Sequence, residues 1–271
     1  MNPIHVSVQE MYAGTQDEYD AFLAELDRSL SPRPPDMLYG KFAALDPGPD
    51  TLVLDAGCRH AVQACELHRR FGCRVVGVDL VEDNLGEARR NIAERGVGGS
   101  VEVTRADLHD LTFPDATFDL LWCRDVLSHM EDLPRALASM ARVLKPGGRG
   151  VIYAMFGTDL LTEEEAAALW PPLATVPRNM DRAFFESALE SAGLSVLEAD
   201  DLGSEWREYG EEHESRITSR QLLRIARLRR NRDALVARHG EKNVASELAN
   251  CHWGVFQILG KLSPVVYTLA R

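Results

Sequence analysis

The run Leu52-Val53-Leu54, followed at once by Asp55, Ala56 and Gly57, constrains this chain more than any other stretch. A short, wholly apolar run suits a strand buried on both faces, as in a parallel sheet. Gly57 permits a tight turn and a close approach of backbone to a ligand. From Val62 the apolar positions Cys65, Leu67 and Phe71 predict a helix leaving that turn. Strand, small-residue turn and helix together place a binding crevice at the carboxyl end of the strand.

The same alternation continues downstream. Further strands are predicted at Arg74–Asp79, Val101–Arg105, 118–123, 149–156 and 194–199, with a last one at 263–270. Helices are predicted at 83–95, 132–144 and 182–192. The second of these carries Leu133, Leu137, Met140 and Leu144 at helical spacing and is stopped by Lys145-Pro146-Gly147-Gly148. This order predicts an α/β fold, a doubly wound sheet covered by helices on both faces.

Two segments stand outside the alternation. Residues 1–48 read as an N-terminal helical segment. One or two helices over 8–30 are broken by Ser31-Pro32-Arg33-Pro34-Pro35 and followed by a short helix over 37–45. Residues 200–262 are helical in composition and strongly charged. An insertion at this point leaves the sheet at its carboxyl edge, where ligands bind in open α/β sheets. The expected organisation is a Rossmann-like core over 49–199, a helical cap over 200–262 completed by residues 1–48, and a last core strand over 263–271.

A net charge of −12 argues against a nucleic-acid backbone as partner, since phosphate binding wants a basic face. The five cysteines form no pair or cluster at metal-ligand spacing, so reduced thiols and no metal are expected. The N-terminus lacks the basic start and apolar core of a signal peptide, and no stretch approaches the ~20 apolar residues of a membrane span. A cytoplasmic protein with a small-molecule partner and no membrane partner is expected, with room for a homodimer.

Acidic residues follow three successive strand ends: Asp55, Asp79 and Asp107. A carboxylate at the second strand end can accept both donors of a ribose diol. One strand further, a carboxylate can accept from an adenine amine. Any one of them could equally be a helix N-cap. All three in this order point to an adenosine site.

Five stretches carry a family resemblance: Val53–Cys58, Val75–Leu80, Arg105–Cys123, Asp125–Asp132 and Ala141–Ile152. In this order the chain resembles the class I methyltransferases that use S-adenosylmethionine, closely from Thr51 to about Phe156 and more loosely through the cap. The resemblance implies a seven-stranded Rossmann-like sheet with its last strand antiparallel. It implies that Asp55 and Gly57, with backbone at Ala56 and Cys58, hold the methionine end of the cofactor. Asp79 would bind the ribose, Leu80 would pack on the adenine, and Asp107 and Leu108 would hold its edge. Cys123 and Arg124 would line the cofactor beside the methyl group. One departure stands out. The family's turn is Gly-Cys-Gly-x-Gly, whereas this chain has Gly57-Cys58-Arg59-His60-Ala61. Either the turn adopts another conformation or cofactor binding is weakened, because Arg is costly where Gly takes positive φ.

In-line methyl transfer can proceed by positioning and desolvation. Where a base is needed, His129 is the candidate, beyond the fourth strand with a near-neutral pKa. Glu205, Glu208, Tyr209, Glu211 and His213 in the cap are unranked alternatives. Tyr12, Tyr39 and Trp206 could wall an apolar substrate pocket, and Arg220 and Arg224, on a stripe with Arg216 and Arg227, could hold an anion such as an isoprenoid diphosphate. The stripe could equally be a solvated face. The expected activity is methyl transfer to a small molecule of specialised metabolism. A protein of the same fold that binds the cofactor without methylating, as a cyclase or interaction module, is the alternative. A nicotinamide dehydrogenase is disfavoured, since only the first glycine of GxGxxG is present.

Overall fold

A computed structural model describes residues 4–271. The chain divides into two compact units, one ending at Pro32 and one spanning Arg33–Arg271. In the first, α1 (Val8–Met11) and α2 (Gln16–Leu26) each start with a capping box, Ser7 with Glu10 and Thr15 with Glu18. Neither helix contains a buried residue, and Tyr12 is fully solvent-facing.

The second unit is built on a seven-stranded sheet. Its strands are β1 (Leu52–Ala56), β2 (Arg74–Asp79), β3 (Val101–Arg105), β4 (Phe118–Arg124), β5 (Leu144–Gly157), β6 (Ser195–Asp201) and β7 (Leu262–Ala270). They lie in the order β3-β2-β1-β4-β5-β7-β6. The first five are mutually parallel, and β7 runs antiparallel between β5 and β6. The chain reverses between β1 and β4, and ligands in open α/β sheets bind at such a switch.

Helices cover both faces. α3 (Met37–Ala43) and α4 (Val62–Phe71) contribute to one core layer with Leu38, Phe42 and Leu67, all fully buried. Phe42 meets Trp122 edge-on at 5.5 Å, and Tyr39 stacks on the same indole at 5.2 Å. Helix α3 therefore packs on the sheet itself, inside the second unit. α5 (Glu82–Glu94) also supplies this layer, through Ala88 and Ile92. α6 (Leu133–Val143) and α8 (Arg182–Ser191) cover the other face through Leu137, Met140, Phe185 and Leu189. Between β5 and α8 the chain forms α7 (Glu163–Leu169) and two 3-10 turns, Pro171–Leu173 and Pro177–Met180.

Residues between β6 and β7 form the helical cap: α9 (Glu205–His213), α10 (Ile217–Arg230), α11 (Arg232–His239) and α12 (Glu241–Ile258). Arg33 ties the start of this unit to the cap. Its guanidinium donates to Glu205 at 2.7 Å and to Asp200 at 2.8 Å, and Lys41 reaches the same Asp200. No described helix is long and apolar enough to cross a membrane.

Candidate cofactor and acceptor site

The carboxyl ends of β1, β2, β3 and β4 bring together the cofactor residues expected from sequence. Asp55 lies inside β1, fully buried, and its Oδ2 has no hydrogen-bond partner. Burial, reinforced by the Asp79 charge, raises its pKa to about 7, while Arg124 works in the opposite direction. A buried, unpartnered carboxylate oxygen is costly unless something completes it. An ammonium group would do so.

The turn after β1 keeps a tight backbone. Gly57 has φ +78, and a Cβ there would stand 2.7 Å from the Val126 side chain. The Gly57 and Cys58 amides donate to the Val78 carbonyl at 2.9 Å. Arg59 and Ala61 also adopt positive φ, +49 and +55. The positions where the family carries glycine are thus left-handed here without glycine. The turn is held by its surroundings. The Arg59 amide donates to Asp79 Oδ2 at 2.9 Å, the Ala61 amide to the Cys58 carbonyl at 2.8 Å, and Asn91 Nδ2 to the His60 carbonyl at 2.9 Å. Gly77 on β2 makes room for Cys58, since a Cβ there would meet the Cys58 side chain at 2.8 Å. Arg59 and Ala61 therefore both hold a left-handed backbone without glycine.

Asp79 ends β2 and accepts from Arg59 N–H, Val81 N–H and Asn84 Nδ2. These bonds fix its orientation, and Oδ2 retains lone-pair capacity for a ribose hydroxyl. Leu80, next in sequence, is a solvent-facing apolar side chain, as an adenine-packing residue would be. Asp107 caps a 3-10 turn over Leu108–Asp110 and accepts from the His109 amide and from His109 Nδ1 at 2.7 Å, both through Oδ1. The His109 hydrogen bonds hold the Asp107 carboxyl below its ordinary range. Its Oδ2 remains available. Leu108, Ala56, Cys58 and Cys123 are buried, and burial pushes the Cys58 and Cys123 thiols far up, so neither is a nucleophile. The donor and acceptor set fits S-adenosylmethionine: an ammonium partner at Asp55, a diol acceptor at Asp79, an apolar shelf at Leu80 and an amine acceptor at Asp107.

Beyond β4 the chain presents a second cluster, and most of it lay outside the sequence reading. Asp125 has φ +60, a left-handed conformation uncommon for Asp. Its side chain keeps accessible surface, yet burial dominates its ionisation and raises its pKa, while Arg124, His129 and Arg207 pull it down. Both facts hold for a group in a cleft. Arg124 lies over the Trp206 ring at 5.7 Å, and Trp206 stacks on Tyr153 at 4.8 Å. Trp206 is thus where an acceptor-site aromatic is expected. Asp125 opens the resemblance stretch Asp125–Asp132, but no role attached to it there.

His129 is exposed at the end of a 3-10 turn over Leu127–His129. Its Nδ1–H donates to the Ala174 carbonyl at 3.0 Å, which leaves Nε2 turned away from that bond. Tyr39 packs on Trp122 and under Arg70, with Arg124 near its hydroxyl. Arg220 and Arg224 are exposed on α10, where Arg224 faces Glu247 at 3.4 Å. Glu205 is occupied by Arg33, and Glu211 caps α10 through the Thr218 and Ser219 amides. Among the described residues no group of three or more potential ligands could hold a metal ion. Concave regions of about 380 and 730 Å³ lie below the opposite strand ends and beside α8 and β6. Neither is lined by the acidic strand ends, so chemistry rather than concavity marks the site.

Comparison with known proteins agrees with this chemistry. Residues 54–152 match the family described as "Methyltransferase domain". The methyltransferase GfsG of Streptomyces halstedii is 30% identical over 171 residues, 62% of either chain. The match therefore spans less than two thirds of that relative. Two solved structures share the fold. The [4+2]-cyclase SpnF superposes with a TM-score of 0.67 at 19% identity, over 86% of this chain and 81% of that one. A geranyl diphosphate C-methyltransferase from Streptomyces coelicolor A3(2), in complex with Mg2+, geranyl diphosphate and S-adenosyl-L-homocysteine, gives 0.63 at 19% identity, over 87% and 76%.

Proposed function

We propose that this chain, a class I S-adenosylmethionine-dependent methyltransferase by its domain over residues 54–152, transfers a methyl group to a small-molecule acceptor. The observation that carries the proposal is the buried Asp55 Oδ2, unpartnered at the head of a row of acidic strand ends. The cofactor, when bound, supplies an electrophilic methyl on a sulfonium. Asp55 holds the ammonium end, Asp79 orients the ribose, and Leu80, Asp107 and Leu108 hold the adenine. Arg124 and Cys123 line the methyl side.

The acceptor enters between β4 and the cap, against Trp206 and Tyr153. Asp125 Oδ and His129 Nε2 are the two proton acceptors at this mouth in this reading. Tyr39 belongs to the apolar wall in this reading. A role in specialised metabolism in the cytoplasm, on a small acceptor and without nucleic acid, goes with a charge of −12 and a helical cap. Self-association as a homodimer is compatible with it.

The preserved left-handed turn favours methyl transfer over the reading in which the cofactor site has been lost. Transfer of tritium from S-adenosyl-[methyl-³H]methionine into an extractable small molecule tests the proposal. Label appearing with wild type and lost in Asp79→Ala is expected. Cofactor binding with no label transferred into any extract would overturn methylation in favour of a binding or cyclase role.

A further inference from the structure

The cap carries a cation that no described carboxylate pairs with directly. Arg207 on α9 is half-buried, and among the described residues it makes no salt bridge. Its partners are neutral. Nε donates to Gln257 Oε1 at 2.9 Å, and Nη1 approaches Gln221 Oε1 at 3.5 Å. Gln257, on α12, is itself buried. Gln221 reaches in from α10 because residue 254 is glycine: a Cβ there would stand 1.9 Å from Gln221 Oε1. Three cap helices thus converge to orient one guanidinium with amide oxygens, which fix direction without cancelling charge. Burial lowers the Arg207 pKa, and the nearby Tyr153, Asp125 and Glu211 oppose that shift.

The neighbourhood is donor-rich. The Trp206 indole N–H, from the adjacent residue, is buried without an acceptor. Arg124, another cation facing Asp125, also makes no salt bridge among the described residues and lies over the Trp206 ring. An unpaired cation and an unpaired donor, both held in place, are what a bound oxyanion would complete.

We infer that Arg207 is the specificity-determining residue of the acceptor site and that it recognises an organic anion with its charge on oxygen, a carboxylate or an ionised phenol or enol. Gln257 and Gln221 are positioning residues for the guanidinium, and Gly254 admits Gln221. The arginines of α10 face solvent and take no part. This inference rests on the acceptor site proposed above.

Calorimetric titration of the protein saturated with S-adenosylhomocysteine, using benzoate and its neutral isostere benzamide, tests it. Wild type is expected to bind benzoate at least ~10-fold more tightly than benzamide, the effect of one charge-assisted hydrogen bond of about 1.5 kcal/mol or more. Arg207→Gln is expected to abolish that preference with unchanged affinity for S-adenosylhomocysteine, and Arg207→Lys to keep part of it. Equal binding of the two probes to wild type, absence of benzoate binding, or an unaltered preference in Arg207→Gln would each overturn the inference. Failure of wild type to bind S-adenosylhomocysteine would instead sink the methyltransferase proposal.

Discussion

Replacing Arg59 and Ala61 by glycine should stabilise this protein. Both residues hold positive φ, +49 and +55, in a turn fixed by hydrogen bonds from Arg59 N–H, Ala61 N–H and Asn91. A non-glycine residue in the left-handed region costs roughly 1–2 kcal/mol. Glycine relieves that cost but gives back about 0.5–1 kcal/mol through the greater freedom of the unfolded chain. The net gain is about 0.5–1 kcal/mol per site, or about 1–2 kcal/mol for the pair. In a unit of this size that corresponds to a rise of roughly 2–8 °C in melting temperature. Differential scanning calorimetry of the double variant reads it directly. The Arg59 amide survives the change, so the bond to Asp79 should persist and affinity for S-adenosylhomocysteine should stay within about 3-fold, by the roughly 0.6 kcal/mol scale of a minor local adjustment. A double variant melting at or below wild type would refute the left-handed assignment of the turn.

Other expectations follow from the same site. Gly57→Ala adds a Cβ 2.7 Å from Val126 at φ +78, so it should cost about 1–3 kcal/mol, read by urea denaturation, and weaken cofactor binding as well. Asp55 has a folded pKa of about 7, above its unfolded value, so its ionisation opposes folding. That penalty is absent below about pH 4, grows as pH rises toward 7 and is complete above it. Asp55→Asn should therefore raise the melting temperature of the free protein at ~pH 8 more than at ~pH 4, while weakening S-adenosylhomocysteine by at least ~10-fold through loss of a charged partner. Asp125→Asn should lower kcat by about 10²-fold or more, with cofactor affinity unchanged, if Asp125 takes a proton in turnover. His129→Gln tests the other proton acceptor in the same assay.

Much of this arrangement was legible in the sequence. Leu52–Leu54 and Val75–Val78 are wholly apolar because β1 and β2 are covered on both faces. Asp55 and Asp79 could be placed because each follows such a run, and Asp107 because it follows the third strand in the same alternation. The antiparallel β7 came from the family resemblance rather than from periodicity. What sequence could not show depends on distant packing. Arg207 sits in an acidic stretch and reads as one cation among carboxylates, and only Gln257 and Gln221 from two other helices reveal it as half-buried and without a direct carboxylate partner. The left-handed φ of Asp125 leaves no trace in residue type. Helix α3 carries the same kind of apolar spacing as α2, yet α3 is buried on Trp122 while no residue of α2 is buried. Periodicity marks an apolar face without naming what covers it.

The account stands most directly on one titration. S-adenosylhomocysteine added to the wild-type protein in a calorimeter should bind at one site per chain with roughly micromolar affinity. Asp79→Ala should weaken it at least ~10-fold, the loss expected for hydrogen bonds to a charged group. No binding to wild type, or equal affinity in Asp79→Ala, would contradict the assignment of the acidic strand ends to this cofactor.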